Sequence, residues 1–102
     1  MAAYILADVT VTNPEQMAIY REWSSRAMQE HGAKVLVRGG DIVVLEGPWR
    51  PSRLVLLEFA DRATAQAFYS SPTYTHARSL REGAGLMRMV IVDGVNTEPE
   101  NA

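Results

Sequence analysis

Residues 3–14, Ala-Tyr-Ile-Leu-Ala-Asp-Val-Thr-Val-Thr-Asn-Pro, pass from an alternating pattern into a helix-start signal, and this switch decides the fold. In the first nine residues Ile5, Ala7, Val9 and Val11 fall on one side of an extended chain, and Tyr4, Leu6, Asp8 and Thr10 on the other. Asn13 can then cap a helix, Pro14 suits its first position, and Gln16 completes a box-like pattern. Met17, Tyr20, Ser24, Ala27, Met28 and His31 recur at helical spacing before Gly32 supplies a stop, which predicts a helix over 14–31.

Outward from that unit the pattern repeats. A second strand is expected over 33–38, leading into Arg38-Gly39-Gly40. Two readings compete there: a tight hairpin at the glycine pair, or a bulge after which the strand continues to Gly47. The bulge is preferred. A turn at Gly47-Pro48-Trp49-Arg50-Pro51 follows, then a strand over Arg53–Phe59, with Leu54, Leu56 and Glu58 on one face and Val55, Leu57 and Phe59 on the other. Asp61 caps a helix that Ser71-Pro72 ends, and a further helix runs to Glu82. Leu86–Asp93 is the last strand, and a mobile polar tail is expected over 95–102. Two β-α-β halves in one domain over 1–94 point to an α+β, ferredoxin-like antiparallel sheet with helices on one face.

Composition narrows the function. With 102 residues the chain has room for one core. Ten Lys and Arg against 12 Asp and Glu, without a basic block, argue against nucleic acid or a membrane surface as partner. The absence of cysteine excludes thiol catalysis and disulfides. Two histidines 45 positions apart share no ligand spacing, so neither a metal nor another cofactor is expected. The apolar run that stops at Asp8 is too short for a leader or a membrane span, and a cytoplasmic location is expected.

The face opposite the helices would carry Leu6, Leu36, Leu54, Leu56 and Val90 among Tyr4, Lys34, Arg38 and Glu58. That is too apolar for a sheet facing water. Burying five aliphatics is worth on the order of 10 kcal/mol, against association costs of about 4–15 kcal/mol. A homodimer with its sheets face to face is the expectation, with Leu6, Leu36, Leu54 and Leu56 in the interface.

The motifs Arg38-Gly39-Gly40, Leu45-Glu46-Gly47-x-Trp49-x-Pro51-x-Arg53, Glu58-Phe59 and Tyr69-x-Ser71-Pro72-x-Tyr74 follow in order along the chain. In these it resembles the family catalogued as domain of unknown function 1330, a branch of the dimeric α/β-barrel superfamily. The resemblance covers about Tyr4 to Gly94, and implies the ferredoxin-like fold and the face-to-face dimer. It implies no single activity, because the wider superfamily holds cofactor-independent monooxygenases, lactone isomerases, lyases, polyketide cyclases and haem proteins. Thr73 departs from the pattern, standing where the family commonly has Glu.

Several residues are candidates for a site. Arg38, Arg53 and Arg81 carry forks suited to a carboxylate, with Trp49 as a flat apolar wall. The competing reading pairs the arginines with Glu46 and Glu58. Tyr20, Trp23, Tyr69 and Tyr74 form an aromatic group, from which the resemblance singles out Tyr69 and Tyr74 as pocket residues. His31 and Glu58 are candidate proton carriers, although a histidine at a helix end also serves the free carbonyls there. His76 reads as a surface residue. The functional classes these residues allow are a cofactor-independent enzyme on a small, partly apolar organic acid or carbonyl compound, a dimeric small-molecule-binding module, or an accessory subunit.

Overall fold

A computed structural model describes residues 1–95 of the chain, so all of the expected tail beyond residue 95 lies outside the described residues. The elements run β1 (Ala3–Val11), α1 (Pro14–Glu30), β2 (Lys34–Arg38), β3 (Leu54–Phe59), α2 (Arg62–Ser70), α3 (Pro72–Leu80) and β4 (Gly85–Asp93). The four strands form one antiparallel sheet in the order β2-β3-β1-β4, which is the ferredoxin-like arrangement expected from the two split β-α-β halves.

Helix boundaries follow local chemistry. Asn13 caps α1 by accepting from the Gln16 N–H at 3.1 Å, with Pro14 in the first turn. Gln16 does not complete a capping box. Its side-chain amide instead donates to the carbonyls of Leu80 and Glu82, at 2.9 and 2.6 Å, and clamps the end of α3 onto the start of α1. Asp61 caps α2, accepting from both the N–H and the hydroxyl of Thr64 at 2.7 Å. These two hydrogen bonds hold its carboxyl below the ordinary range. Ser71 serves both neighbouring helices. Its hydroxyl donates to the Phe68 carbonyl at 2.8 Å and accepts from the Tyr74 N–H at 3.1 Å. The Ser71-Pro72 step thereby turns the chain so that Phe68 and Tyr74 both enter the core.

The helices cover one face of the sheet. Ala3, Ile5, Ala7 and Val9 of β1 are buried there, with Leu57 and Phe59 of β3 and with Met17, Phe68, Tyr74 and Ala77 of the helices. Aromatic rings form the centre, with Phe68 4.6 Å from Tyr74 and 5.2 Å from Phe59 between centroids.

The second strand differs from expectation in two ways. Its bulge lies between Val35 and Val37, not at Gly39-Gly40, and the strand ends at Arg38. Gly39, at φ +69°, turns the chain out of the sheet, and no strand forms between it and Leu54. The bulge also reverses the alternation. Val37 pairs with Leu56 on the outer face and Arg38 with Val55 on the helix side of the sheet, where β2 itself stays exposed. Arg38 is therefore not an outer-face residue, because the extra residue, Leu36, shifts every later side chain by one step.

The outer face carries an aliphatic row across all four strands, Val37–Leu56–Leu6–Val90. Beside it run Lys34–Glu58–Tyr4–Val92 and Leu54–Asp8–Arg88. Val37 and Val90, at its two ends, are 40% and 58% exposed, and Leu6 and Leu56 between them are half-buried.

Phe59→Ala removes a fully enclosed ring from the aromatic centre and should cost about 3–5 kcal/mol of stability. A fall in the urea midpoint at unchanged slope would show it, and a cost below about 1 kcal/mol would contradict the packing described.

Candidate functional site

Between α1 and the inner face of the sheet lies a cavity of about 330 Å³. Small-molecule sites begin at roughly this size. The sheet supplies its floor in two cross-strand rows. One is Arg38–Val55–Ala7–Met89; the other is Arg53–Val9–Met87, where the Val9 N–H donates to the Arg53 carbonyl at 2.8 Å. Every one of these side chains lines the cavity, which Phe68, Met17 and Met28 close from the helices.

At the β2–β3 end stand two guanidinium groups. Gly39 gives the Arg53 guanidinium its place, since a Cβ on that residue would stand 2.5 Å from Arg53 Nη1. Among the described residues the ion pairs are Arg62 with Asp93 and Arg88 with Asp8. Neither Arg38 nor Arg53 has a carboxylate partner there, so the competing pairing with Glu46 and Glu58 does not form within the chain. Arg21 and Glu22 of α1 complete the charged rim.

At the β4 end the Tyr20 and Tyr74 hydroxyls meet at 2.6 Å. Tyr20 Oη lies 3.8 Å from Met87 Sδ and Tyr74 Oη 3.6 Å from Met89 Sδ. Burial pushes both phenols above their ordinary range, opposed at Tyr20 by its bond to Tyr74 and reinforced at Tyr74 by the Tyr20 charge. At neutral pH both are hydrogen-bond donors and neither is a base.

The other candidate residues lie elsewhere. His31 Nδ1 is 2.9 Å from the Ala27 carbonyl, so that nitrogen carries the proton and closes α1. Its ring packs edge-on to Phe68 and does not line the cavity. Glu58 is on the outer face, where it accepts from Tyr4 Oη at 3.1 Å and raises the Tyr4 phenol. Trp49 donates to Asp8 Oδ2 at 3.2 Å, also on the outer side. Tyr69 lies under the Arg78 guanidinium at 4.4 Å, outside the cavity. Arg81 sits behind Tyr20, 5.3 Å from the ring, against Met87 Sδ. His76 is exposed and meets the Trp23 ring at 4.3 Å. The group Arg38, Arg53, Arg81 and Trp49 thus divides, and only its first two members share the cavity with Tyr74. Tyr20 belongs with them. Its place on the inward stripe Met17–Tyr20–Ser24–Ala27 was the available signal.

Among the described residues no group of three His, Cys, Asp or Glu is placed to hold a metal ion. No helix there is long and apolar enough to cross a membrane.

Fold and site define a ferredoxin-like α+β domain with an apolar cavity, cationic at one end and phenolic at the other. The sequence matches the family described as domain of unknown function (DUF1330) over residues 2–95, and the chain belongs to that family. No curated protein sequence matches it. Among solved structures, a protein of unknown function from Rhodopseudomonas palustris superposes with TM-score 0.72 at 20% identity, covering 93% of this chain and 83% of that one. A dimeric ferredoxin-like protein of unknown function from Jannaschia sp. gives 0.63 at 14%, covering 92% and 100%. SnoaB, a cofactor-independent oxygenase from Streptomyces nogalater, gives 0.62 at 9%, covering 96% and 97%. These likenesses establish the fold.

The buried phenols make stability depend on alkaline pH. Unfolded tyrosines release their protons near the ordinary value of 10.0, whereas native Tyr20 and Tyr74 hold theirs higher. Their contribution is complete below pH ~10 and is lost as pH rises from there toward the native values. Urea midpoints measured between pH 8 and 11 should fall in the wild type and fall less steeply in the Tyr20→Phe/Tyr74→Phe double variant.

Proposed function

We propose that this chain forms a homodimer through the outer face of its sheet, and that each subunit takes up a small, partly apolar organic acid or carbonyl compound in the cavity and acts on it without a bound cofactor. The ligand reading is carried by Arg38 and Arg53, two guanidiniums without ion-pair partners among the described residues, beside an apolar cavity. A carboxylate there gains charge-assisted hydrogen bonds while the rest of the molecule leaves water. The likeness to SnoaB, described as a cofactor-independent oxygenase, supports chemistry without a cofactor. The protonated tyrosine pair is suited to polarise a ligand oxygen.

A second reading is binding without turnover. It is favoured by the placement of His31 and Glu58 outside the cavity, which leaves Glu22 at the rim as its lining carboxylate. Turnover of a bound acid by the wild type, lost in Arg53→Ala, decides between the two.

The dimer reading rests on the row Val37–Leu56–Leu6–Val90 and on the exposed apolar segment beyond β2, where Val43 and Leu45 are 79% and 94% exposed. It is consistent with the neighbour from Jannaschia sp., which is described as dimeric.

Native mass spectrometry of freshly purified protein should show twice the 11.3 kDa subunit mass, with a small acid retained. Arg53→Ala and Arg38→Ala should each weaken that acid about 10- to 100-fold while the dimer persists, the worth of one charge-assisted contact. Unchanged affinity in both would overturn the ligand reading. Leu56→Asp should give monomers by light scattering, and a monomeric wild type at micromolar concentration would overturn the dimer.

A further inference from the structure

The two rows that floor the cavity are chemically polar along their length. From Arg53 to Met87 the row crosses two strand spacings, about 10 Å, and from Arg38 to Met89 three, about 14 Å. Cations stand at the β2–β3 end; at the β4 end there are thioethers and phenols. Between them the floor is Val9, Ala7 and Val55, with no polar side chain.

The phenolic end has a spare proton. Two hydroxyls share the 2.6 Å contact, and only one proton can lie between them. The other faces a thioether sulfur, Met87 at 3.8 Å or Met89 at 3.6 Å, which is a weak acceptor. An oxygen arriving along the cavity floor is a better acceptor and takes that proton without breaking the tyrosine pair. Arg81, behind the Tyr20 ring and against Met87, makes that phenol a stronger donor but does not line the cavity. A second anionic group at this end would be desolvated among Met87, Met89 and Phe68, and Arg81, on the far side of Met87, does not enter the cavity to pair it.

From this arrangement we propose that the ligand is an elongated monocarboxylate whose far end carries a neutral oxygen, a phenol or a ketone, received by the Tyr20–Tyr74 pair. This rests on the reading of the cavity as an organic-acid site. Tyr20 and Tyr74 are then specificity-determining residues, and they select for a neutral acceptor over both a bare hydrocarbon and a second charge.

Calorimetric titration of the full chain with three probes tests it: phenylpropanoate, para-hydroxyphenylpropanoate and para-carboxyphenylpropanoate. The hydroxyl compound should bind about tenfold tighter than the unsubstituted acid, the worth of one buried hydrogen bond, and the dianion no tighter than either. The Tyr20→Phe/Tyr74→Phe double variant should abolish the hydroxyl advantage, since either hydroxyl alone still has a proton to donate, whereas Arg53→Ala should weaken all three probes alike. Equal wild-type affinity for the hydroxyl and unsubstituted acids, with Arg53→Ala still weakening both, overturns this inference and leaves the organic-acid reading intact. Preference for the dianion overturns it as well. If none of the three binds, the organic-acid reading falls and the inference falls with it. The wild-type comparison needs no variant to fold.

Discussion

The register of β1 against its two neighbours is the constraint on which both faces of this sheet depend. Ile5 lies between Leu57 and Ile91, and Leu6 between Leu56 and Val90, with no slip along either pairing. With a side-chain period of two, that register fixes a helix-facing set and an outer set at once. Among the described residues the pairing irregularity is in β2. Without its bulge, Arg38 would fall on the outer face, where its charge would interrupt an aliphatic row. The extra residue instead puts Val37 into that row and delivers Arg38 to the cavity, opposite Val55 and so two residues from Arg53 along the return strand. One inserted residue thus serves two surfaces: it keeps the outer row apolar and brings Arg38 to the same cavity as Arg53.

Much of this was legible in the sequence, for reasons that are local. The alternation in 3–11 and 54–59 assigns faces directly, and Asn13, Asp61 and Ser71-Pro72 mark helix starts with side chains that satisfy free N–H groups. What was not legible depended on parity and on depth. Gly39-Gly40 is the visible irregularity, so it drew the bulge to itself, while the actual bulge passes through Val35-Leu36-Val37, three aliphatics with no distinguishing chemistry. Glycine here does a different thing, ending the strand and leaving space over which the Arg53 guanidinium lies. Trp49 and Arg53 are close in sequence but on opposite sides of the sheet, since β3 begins between the loop and the inner row. The motif that held Tyr69 and Tyr74 together likewise spans a helix break, after which one ring is enclosed and the other stacks under Arg78.

The cavity also has an energetic setting. A chain of 102 residues buries a smaller share of its surface than a large domain, so packing given up along a cleft weighs more in its stability. The rows show why the volume persists: the central strand offers Ala7 and Val9 where larger side chains would fill the space, and the facing residues are Met17, Met28, Met87 and Met89. Methionine is flexible enough to shape itself to different occupants and polarisable enough to contact aromatic ones. At the two ends, sheet pairing sets the backbone from which Arg38 and Arg53 extend, and the Ser71 cap holds the backbone of Tyr74. A ligand that meets both ends packs against the methionines between them and stabilises the native state by mass action. Recognition and folding draw on the same interior, which ties the identity of the ligand to the chemistry of the ends and its tolerance for shape to the methionines between.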